Sequence, residues 1–432
     1  MSSDMQRTAL VLGGNGFIGA FVVAALRAHG WRVRRLVRQR GAMHGQDECH
    51  GDLAGMTDPA AWREALAGVH AVVNVAGILR ERGRDTFAAI HVDAPLALAQ
   101  ACVATGVSRY VQVSALGDPA DAAFIASKHR FDDALLALPL HAVVLRPSLV
   151  YSAAGSFGGS SLMRAMAALP WALPLPGNGR WPLDPIAAED IGELVAQALV
   201  GDARGMYEVG GPQRMSLRDY QWHWRRWFGH RGHREWHIPE RVVGLQARLG
   251  QWLGAGPVGQ TTWRLLQRGC VTGDGALARL RDDFGVVPRT LHEALAQRPA
   301  QVQDRWHAHL YVLGPLLRGG VVALWLLSAL VGWITPPETI EQMVEGSALA
   351  GFAPVVMARA TASLDLVLAL WLCTSWRPRW AVTLMLLSVL GYTLGFGLGL
   401  SAQWLDPLGG LAKNLALLPA LAVLWVLVER RG

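Results

Sequence analysis

Lysine is nearly absent from this 432-residue chain: of 40 lysine and arginine residues only two, Lys128 and Lys413, are lysine. Where charge alone is needed the chain uses arginine. A position that keeps lysine points to a need for a compact ammonium with rotatable donors. Cysteine is equally scarce. Cys49, Cys102, Cys270 and Cys373 lie far apart with no CxxC pair. This fits a reducing compartment and argues against a disulfide framework or a metal knuckle. No long apolar run opens the chain, so no cleaved signal peptide is expected. Charged residues make up only 17% of a chain that is 52% hydrophobic and long enough for two or three domains. No internal repeat or low-complexity tract is found. The net charge is +7, with basic residues crowded between Arg214 and Arg305. That crowding precedes an apolar tail, which favours anionic lipid over nucleic acid as partner.

What is present begins with TALVLGGNGFIG at residues 8–19. A short apolar run meets Gly13 and Gly14, which supply a tight turn. Gly16 lets the backbone approach a pyrophosphate, and Gly19 lets the following helix pack close to the strand. That helix is expected from Phe17 to His29, its first amides favouring an anionic phosphate. Strands are predicted at Trp31–Val37, Val69–Val75, Arg109–Val113, His141–Leu145 and Met206–Val209. Helices are predicted after a Thr57 or Asp58 cap with Pro59 at the first position, at Thr86–Ala104, at Phe124–Leu138 and from about Asp190. The alternation argues an α/β, doubly wound parallel sheet. The stretch Gly155–Ser161 reads as a loop over a crevice.

The character changes near Leu313. Four apolar spans follow at Leu313–Ile334, Phe352–Thr374, Trp380–Leu400 and Leu408–Val428, each about 20 residues long, as the bilayer core requires. Arg305, Arg318, Arg377, Arg379, Arg430 and Arg431 flank them on one side. The loops Thr335–Gly351 and Ser401–Pro407 hold no Lys or Arg, and the first carries Glu338, Glu341 and Glu345. By the positive-inside rule the basic side, with the N-terminal domain and the C-terminus, is cytoplasmic. Residues 1–300 are therefore expected to form the nucleotide-binding domain, with a smaller helical portion at 213–300. Residues 301–432 are expected to form a four-span bundle in a bacterial-type inner membrane.

Strand two decides the dinucleotide. An acid at its end would hold the ribose hydroxyls of NAD. Here it ends Leu36-Val37-Arg38, with Arg34, Arg35 and Arg40 nearby. Cationic side chains suit a 2′-phosphate, so NADP(H) is favoured over NAD(H), with Arg38 as the best candidate.

These residues resemble the short-chain dehydrogenase/reductase superfamily in its extended or atypical branch, over about residues 8–300. The matching pieces are GGNGFIG (Gly13, Gly14, Asn15, Gly16, Phe17, Ile18, Gly19), Gly51-Asp52-Leu53, NVAG (Asn74, Val75, Ala76, Gly77) and VSALG with Ser114. FIASK (Phe124–Lys128), LRPSLVY (Leu145–Tyr151), PLPGNGRWPLDPIAAEDI and YEVGGP follow. The look is that of the atypical group containing the nucleotide-binding accessory subunit of respiratory complex I. The resemblance implies a Rossmann-type domain with Asp52 and Leu53 by adenine and the Val75–Gly77 backbone by the dinucleotide. It also implies Lys128 at the nicotinamide ribose and Pro147 by the nicotinamide. The tail resembles the DoxX-like membrane family through the Pro336-Pro337 loop, Asp365 and LDPLGGLAKNLALLPAL.

One departure matters most. The superfamily's catalytic set is Ser, Tyr and Lys. Ser114 and Lys128 are present, but Phe124 stands at the tyrosine position and has no proton to give. Tyr151 and His91 are the conceivable substitutes. His91 stands where many relatives have Asn and is expected as a helix-surface histidine.

Arg359, Asp365, Lys413 and Asn414 are polar groups within the spans, which makes them functional candidates. Lys413 is about 7 Å and Arg359 about 10 Å from the periplasmic ends of their spans. Both are expected to snorkel or to face the Glu-bearing loop. For Asp365 the sharp reading is a quinone or small-ligand pocket, and the preferred one is a bond between helices. His230, His233 and His237 lack an acid or thiol to complete a ligand set, so no metal is expected. A basic, aromatic surface against lipid headgroups is preferred there. Val242, Val243, Leu245, Leu249, Trp252 and Leu253 recur at helical spacing and read as core.

The sequence thus points to a membrane-tethered NAD(P)(H)-binding oxidoreductase-like protein. It is expected to pass reducing equivalents to a quinone or another membrane-associated acceptor. The alternative is a catalytically silent nucleotide-binding assembly subunit of a membrane complex. A nucleotide-sugar epimerase or dehydratase, the third reading, would also need a proton-transfer group where Phe124 stands.

Overall fold

Strand β1 (Thr8–Leu12) shows why the N-terminal part is layered. Its residues are all buried, with Ala9 and Val11 in one hydrophobic cluster and Leu10 and Leu12 in another. Successive side chains point to opposite faces, so a strand buried on both must lie inside a sheet covered on two sides. The computed structural model describes residues 7–38, 47–252, 260–374, 376–399, 404 and 410–429. The chain divides into two compact units, Met1–Ala308 and His309–Gly432.

In the first unit, β1 is joined by β2 (Arg32–Val37), β3 (Glu48–His50), β4 (Ala71–Asn74), β5 (Arg109–Val113), β6 (His141–Pro147) and β7 (Gly205–Val209). They form a seven-stranded sheet in the order β7-β6-β5-β4-β1-β2-β3, paired in parallel throughout. The strand order reverses between β1 and β4, which opens a crevice at their carboxyl ends. Helix α1 (Phe17–Ala28) and helix α4 (Ala188–Ala198) cover one face through Val22, Leu26, Ile191 and Leu194. Helix α2 (Ala94–Thr105) and helix α3 (Ala123–Leu136) cover the other through Leu98, Phe131 and Leu135.

Several expected elements differ. The strand β3 has no apolar alternation and went unpredicted. The segment capped by Asp58, whose carboxylate accepts from the Ala60 amide at 2.8 Å, is mainly a 3₁₀ turn with a short α-helix after it. The Gly155–Ser161 stretch is not all loop: a helix starts at Gly159, with Ser160 Oγ accepting from the Phe157 amide at 3.0 Å. The helix expected from Thr86 opens with a π turn at Ala88–Asp93 before α2 begins. In the Glu240–Trp252 helix, Val243 and Ala247 are buried while Val242 and Leu245 are exposed, so only part of the expected stripe is core. The side chains of Leu249 and Trp252, and all of Leu253 and Arg40, lie outside the described residues.

In the second unit, the apolar helices α6 (Val302–Ile334, which begins in the first unit), α7 (Pro354–Cys373) and α8 (Pro378–Gly399) have membrane-crossing length and composition. Helix α5 (Leu217–Trp227) belongs to the first unit. The final helix, α9 (Asn414–Leu427), has only 14 residues, about 21 Å, and is shorter than the span expected from Leu408. Leu408, Arg430 and Arg431 lie outside the described residues.

Two arginines act as helix caps here. Arg359 donates to the carbonyls of Gly332 and Thr335 at the end of α6. Arg318 donates to those of Leu372 and Thr374 at the end of α7. Each satisfies carbonyls that have no partner within their own helix. The Arg359 guanidinium is thus directed to the end of α6, and among the described residues it forms no ion pair with Glu338, Glu341 or Glu345. Lys413 closes a 3₁₀ turn before α9 and is exposed. Asp365 accepts from Ser328 Oγ on α6 at 2.6 Å, and Asn414 Nδ2 donates to Thr393 Oγ1 on α8 at 2.8 Å. Both are bonds between helices.

The tightest contact at the crevice lies under α1. A Cβ on Gly19 would fall 2.0 Å from the Gly13 carbonyl oxygen. Replacing Gly19 by Ala should lower the unfolding free energy of the first unit by about 1–3 kcal/mol. Urea unfolding followed by tryptophan fluorescence checks this, and an unchanged midpoint would contradict it.

Candidate active site

The crevice is built from the ends of β1, β2, β4 and β5. Gly13 has φ +73°, and a Cβ there would fall 2.8 Å from the Ala76 amide nitrogen. Only glycine lets the first turn lie against the turn that follows β4. Gly16 precedes α1 without a side-chain cap, and the first turn of α1 holds no acid. The amides of Phe17 and Ile18 thus keep their capacity for an anion. Asn15 Oδ1 accepts from Arg35 Nη1 at 2.8 Å, and the Arg35 side chain lies against Gly14.

At the end of β2, Arg38 donates two hydrogen bonds of 2.9 Å to Asp85 and lies 3.5 Å from Asp52. Arg34 bonds the Ala65 and Ala67 carbonyls, and Arg35 pairs with Glu48 at 2.6 Å. Leu53, next to Asp52, is buried in the core. Among the described residues, Arg38 is the expected cation with an exposed guanidinium beside Asp52.

The turn after β4 is shaped by Asn74 of the NVAG motif and by Gln112, a partner the sequence did not flag. Asn74 Nδ2 donates to Gln112 Oε1 at 2.8 Å, and Asn74 Oδ1 accepts from the Ala76 amide at 3.1 Å. Val75 and Ala76 are thereby held in front of Lys128. Lys128 is buried, at 5% exposure of the residue. It donates to the Val113 carbonyl at 2.9 Å and more weakly to that of Ala76 at 3.4 Å. Burial pulls its pKa down to about 8, against the opposing pull of Asp132. A Cβ on Gly77 would fall 3.2 Å from Lys128 Nζ, so this glycine keeps the ammonium open to the crevice.

His91 is not on the surface: it is 2% exposed. The π turn at 88–93 shifts the helical phase, so Ile90, His91 and Val92 are all buried. Its Nε2 accepts from the Ile78 amide at 2.9 Å. A backbone N–H only donates, so Nδ1 carries the ring proton and donates to Ser127 Oγ at 2.8 Å. Ser127 in turn donates to the Phe124 carbonyl at 2.9 Å. Burial, helped by the Lys128 charge, holds the imidazole pKa down at about 3. His91 is a neutral, fully engaged bracket and has no proton free to replace that of a phenol.

The Phe124 ring stands 5.8 Å from the His91 ring and offers no polar atom. Ser114 Oγ donates to Asp132 Oδ2 at 2.7 Å, and Arg146 Nε donates to the same oxygen at 2.9 Å. Asp132 is fully buried, and that burial pushes its carboxyl pKa up. Neither Asp132 nor Arg146 was anticipated. An acid four residues after the lysine is the signal that would have found the pair. Tyr151 is absent from this constellation. It packs among Tyr220 and Trp224 in the third hydrophobic cluster, and burial pushes its phenol far up. Pro147 ends β6 beside Val209 of β7, and its carbonyl accepts from the Leu116 amide at 3.1 Å.

The three histidines do not converge. His230 Nε2 bonds the Ala168 carbonyl at 3.0 Å and His237 Nδ1 that of Gly177 at 2.8 Å, while His233 lies by Trp222. His233 instead helps line a surface groove of about 420 Å³ with Arg214, Arg218, Trp222, His223 and Arg226.

Comparison with known proteins agrees with this geometry. Residues 9–210 match the NAD dependent epimerase/dehydratase family, and residues 322–425 match the DoxX-like family. A ceramide reductase of Caulobacter vibrioides (strain NA1000 / CB15N) is 31% identical over 159 residues, covering 35% of this chain. The match spans about half (49%) of that protein's length. Among solved structures, gox2253 gives a TM-score of 0.54 at 22% identity, covering 70% of this chain and 99% of that one. The human epimerase family protein SDR39U1 (isoform 2), solved with NADPH, gives 0.50 at 19% identity, covering 67% and 97%. At these identities the structural likenesses establish the fold.

Replacing His91 by Ala strands the Ile78 amide and should lower the unfolding free energy by about 1–3 kcal/mol near pH 7. The folded imidazole titrates at about 3, below its ordinary 6.5. Its contribution is therefore complete above pH 6.5 and fades as pH falls toward 3. Denaturant unfolding of both proteins should show the gap between them narrowing over that range, and a gap that widens would contradict this assignment.

Proposed function

We propose that this union of an NAD dependent epimerase/dehydratase domain with a DoxX-like domain is a membrane-tethered NAD(P)H-dependent oxidoreductase. Its acceptor is a lipid-soluble carbonyl compound or quinone. The observation that carries the reading is the pairing of an intact dinucleotide cradle with a buried lysine ammonium at its inner end. Gly13, Gly14, Asn15, Gly16, Phe17, Ile18 and Gly19 would hold the diphosphate, and the clearances at Gly13 and Gly19 leave no room for any other residue there. Asp52 and Leu53 would flank the adenine, the Val75–Gly77 backbone the central part, and Lys128 and Pro147 the nicotinamide end. When bound, the reduced dinucleotide supplies a hydride.

NADP(H) is favoured because Arg38, not an acid, follows β2, and its guanidinium is exposed. The ceramide reductase likeness supports reductive chemistry on a substrate that lives in a bilayer. The loop charges support four crossings of the inner membrane with both termini in the cytoplasm. Phe124 favours a second reading, a nucleotide-binding assembly subunit without turnover, because the usual proton donor is missing.

Purified full-length protein in lipid nanodiscs should oxidise NADPH with decylubiquinone or 9,10-phenanthrenequinone. It should bind NADPH more tightly than NADH in calorimetry. Arg38→Glu should weaken NADPH binding by tenfold or more and leave NADH nearly unchanged, since only the first carries the 2′-phosphate. Tight NADPH binding with no oxidation by either acceptor would select the assembly reading. The absence of heat with either coenzyme would contradict both.

A further inference from the structure

We propose that Lys128 Nζ itself delivers the proton to the substrate oxygen, in place of the missing phenol at position 124. The inference rests on the oxidoreductase reading above. It follows from where the described protic groups considered for this role send their hydrogens. Phe124 has none. The single ring proton of His91 goes to Ser127, and that of Ser127 to the Phe124 carbonyl. The hydroxyl proton of Ser114 goes to Asp132, so Ser114 presents lone pairs, not a donor, to a ligand. Tyr151 is enclosed in an aromatic cluster. Lys128 has three N–H bonds and two carbonyl partners, Val113 and Ala76. The third N–H is left for the side where Gly77 lacks a Cβ.

The groups that face this ammonium are few. Asp132 lies one turn on along α3 and favours the charged form, and Arg146 partly offsets it by pairing with that carboxylate. His91, from the π turn, is neutral, and Ser114 carries no charge. Burial outweighs Asp132 and brings the ammonium to about 8. A donor that titrates close to the operating pH is the efficient kind of general acid.

The step balances. The substrate carbonyl carbon receives the hydride, and the carbonyl π pair moves to oxygen. The Nζ–H bond breaks with its electron pair left on nitrogen, and an O–H bond forms. The product is an alcohol, and the neutral amine regains a proton from water.

The scarcity of lysine makes the test clean. Acetic anhydride labelling of the full chain, followed by peptide mass spectrometry from pH 6 to 11, reads Lys128 with Lys413 as the internal reference. Labelling of Lys128 should rise with a midpoint near 8, and NADPH should slow it tenfold or more without slowing Lys413. A midpoint at the ordinary lysine value of about 10.4 would overturn the proposal.

Turnover supplies the second arm, with 9,10-phenanthrenequinone as acceptor. Lys128→Arg keeps the charge but holds its proton, so at saturating NADPH kcat should fall about 100-fold. Adding Phe124→Tyr to that variant should restore part of the rate. A Lys128→Arg protein that keeps its kcat would overturn the proposal and leave the oxidoreductase reading standing. If Lys128→Arg fails to fold, the labelling midpoint decides. An unaltered chain that binds NADPH and labels near pH 8 but never turns over would remove both.

Discussion

The ammonium of a buried lysine must be held by oxygen atoms, and the inner end of the crevice is organised around that need. Lys128 is 5% exposed, and its partners are main-chain carbonyls at the ends of β5 and β4. The Ala76 carbonyl lies in the turn after β4, which Asn74 and Gln112 hold in shape. The same turn touches Gly13, so the turns after β1 and β4 are fixed against each other with clearances only glycine satisfies.

Around the lysine the protein has replaced mobile protons with fixed hydrogen bonds. His91, Ser127 and the Phe124 carbonyl form a one-way chain of donors. Ser114, Asp132 and Arg146 form a second. Both brace α3, the helix that carries Lys128, and both leave their protons engaged within the protein. With Phe124 at the usual phenol position, Lys128 keeps, among these described groups, an N–H without a partner in either chain.

Much of this was legible in the sequence, for physical reasons. The glycine turn, the parallel strands and the four apolar segments announce themselves because period and spacing are local properties. Ser114 and Lys128 were placed by motif. His91 was misread as a surface residue because one extra residue in a π turn changes which side faces inward, and no periodicity reports that in advance. Asp132, Arg146 and Gln112 were missed because their partners lie 14 to 38 residues away in the chain. Arg359 is expected from the sequence to snorkel or to face the Glu-bearing loop. It caps the carbonyls at the end of α6, a long-range contact that charge counting does not see. Asp365 behaved as the preferred reading held, as a bond from α7 to Ser328 on α6.

The measurement that tests the central claim most directly is a structure of the full-length protein solved with NADPH bound. The account predicts the diphosphate against the amides of Phe17 and Ile18, with Lys128 Nζ within hydrogen-bond distance of the nicotinamide end. It also predicts no other protic side chain facing the carbon that releases the hydride. Density for the dinucleotide elsewhere, or a crevice in which Lys128 keeps both carbonyls and touches nothing of the ligand, would contradict it.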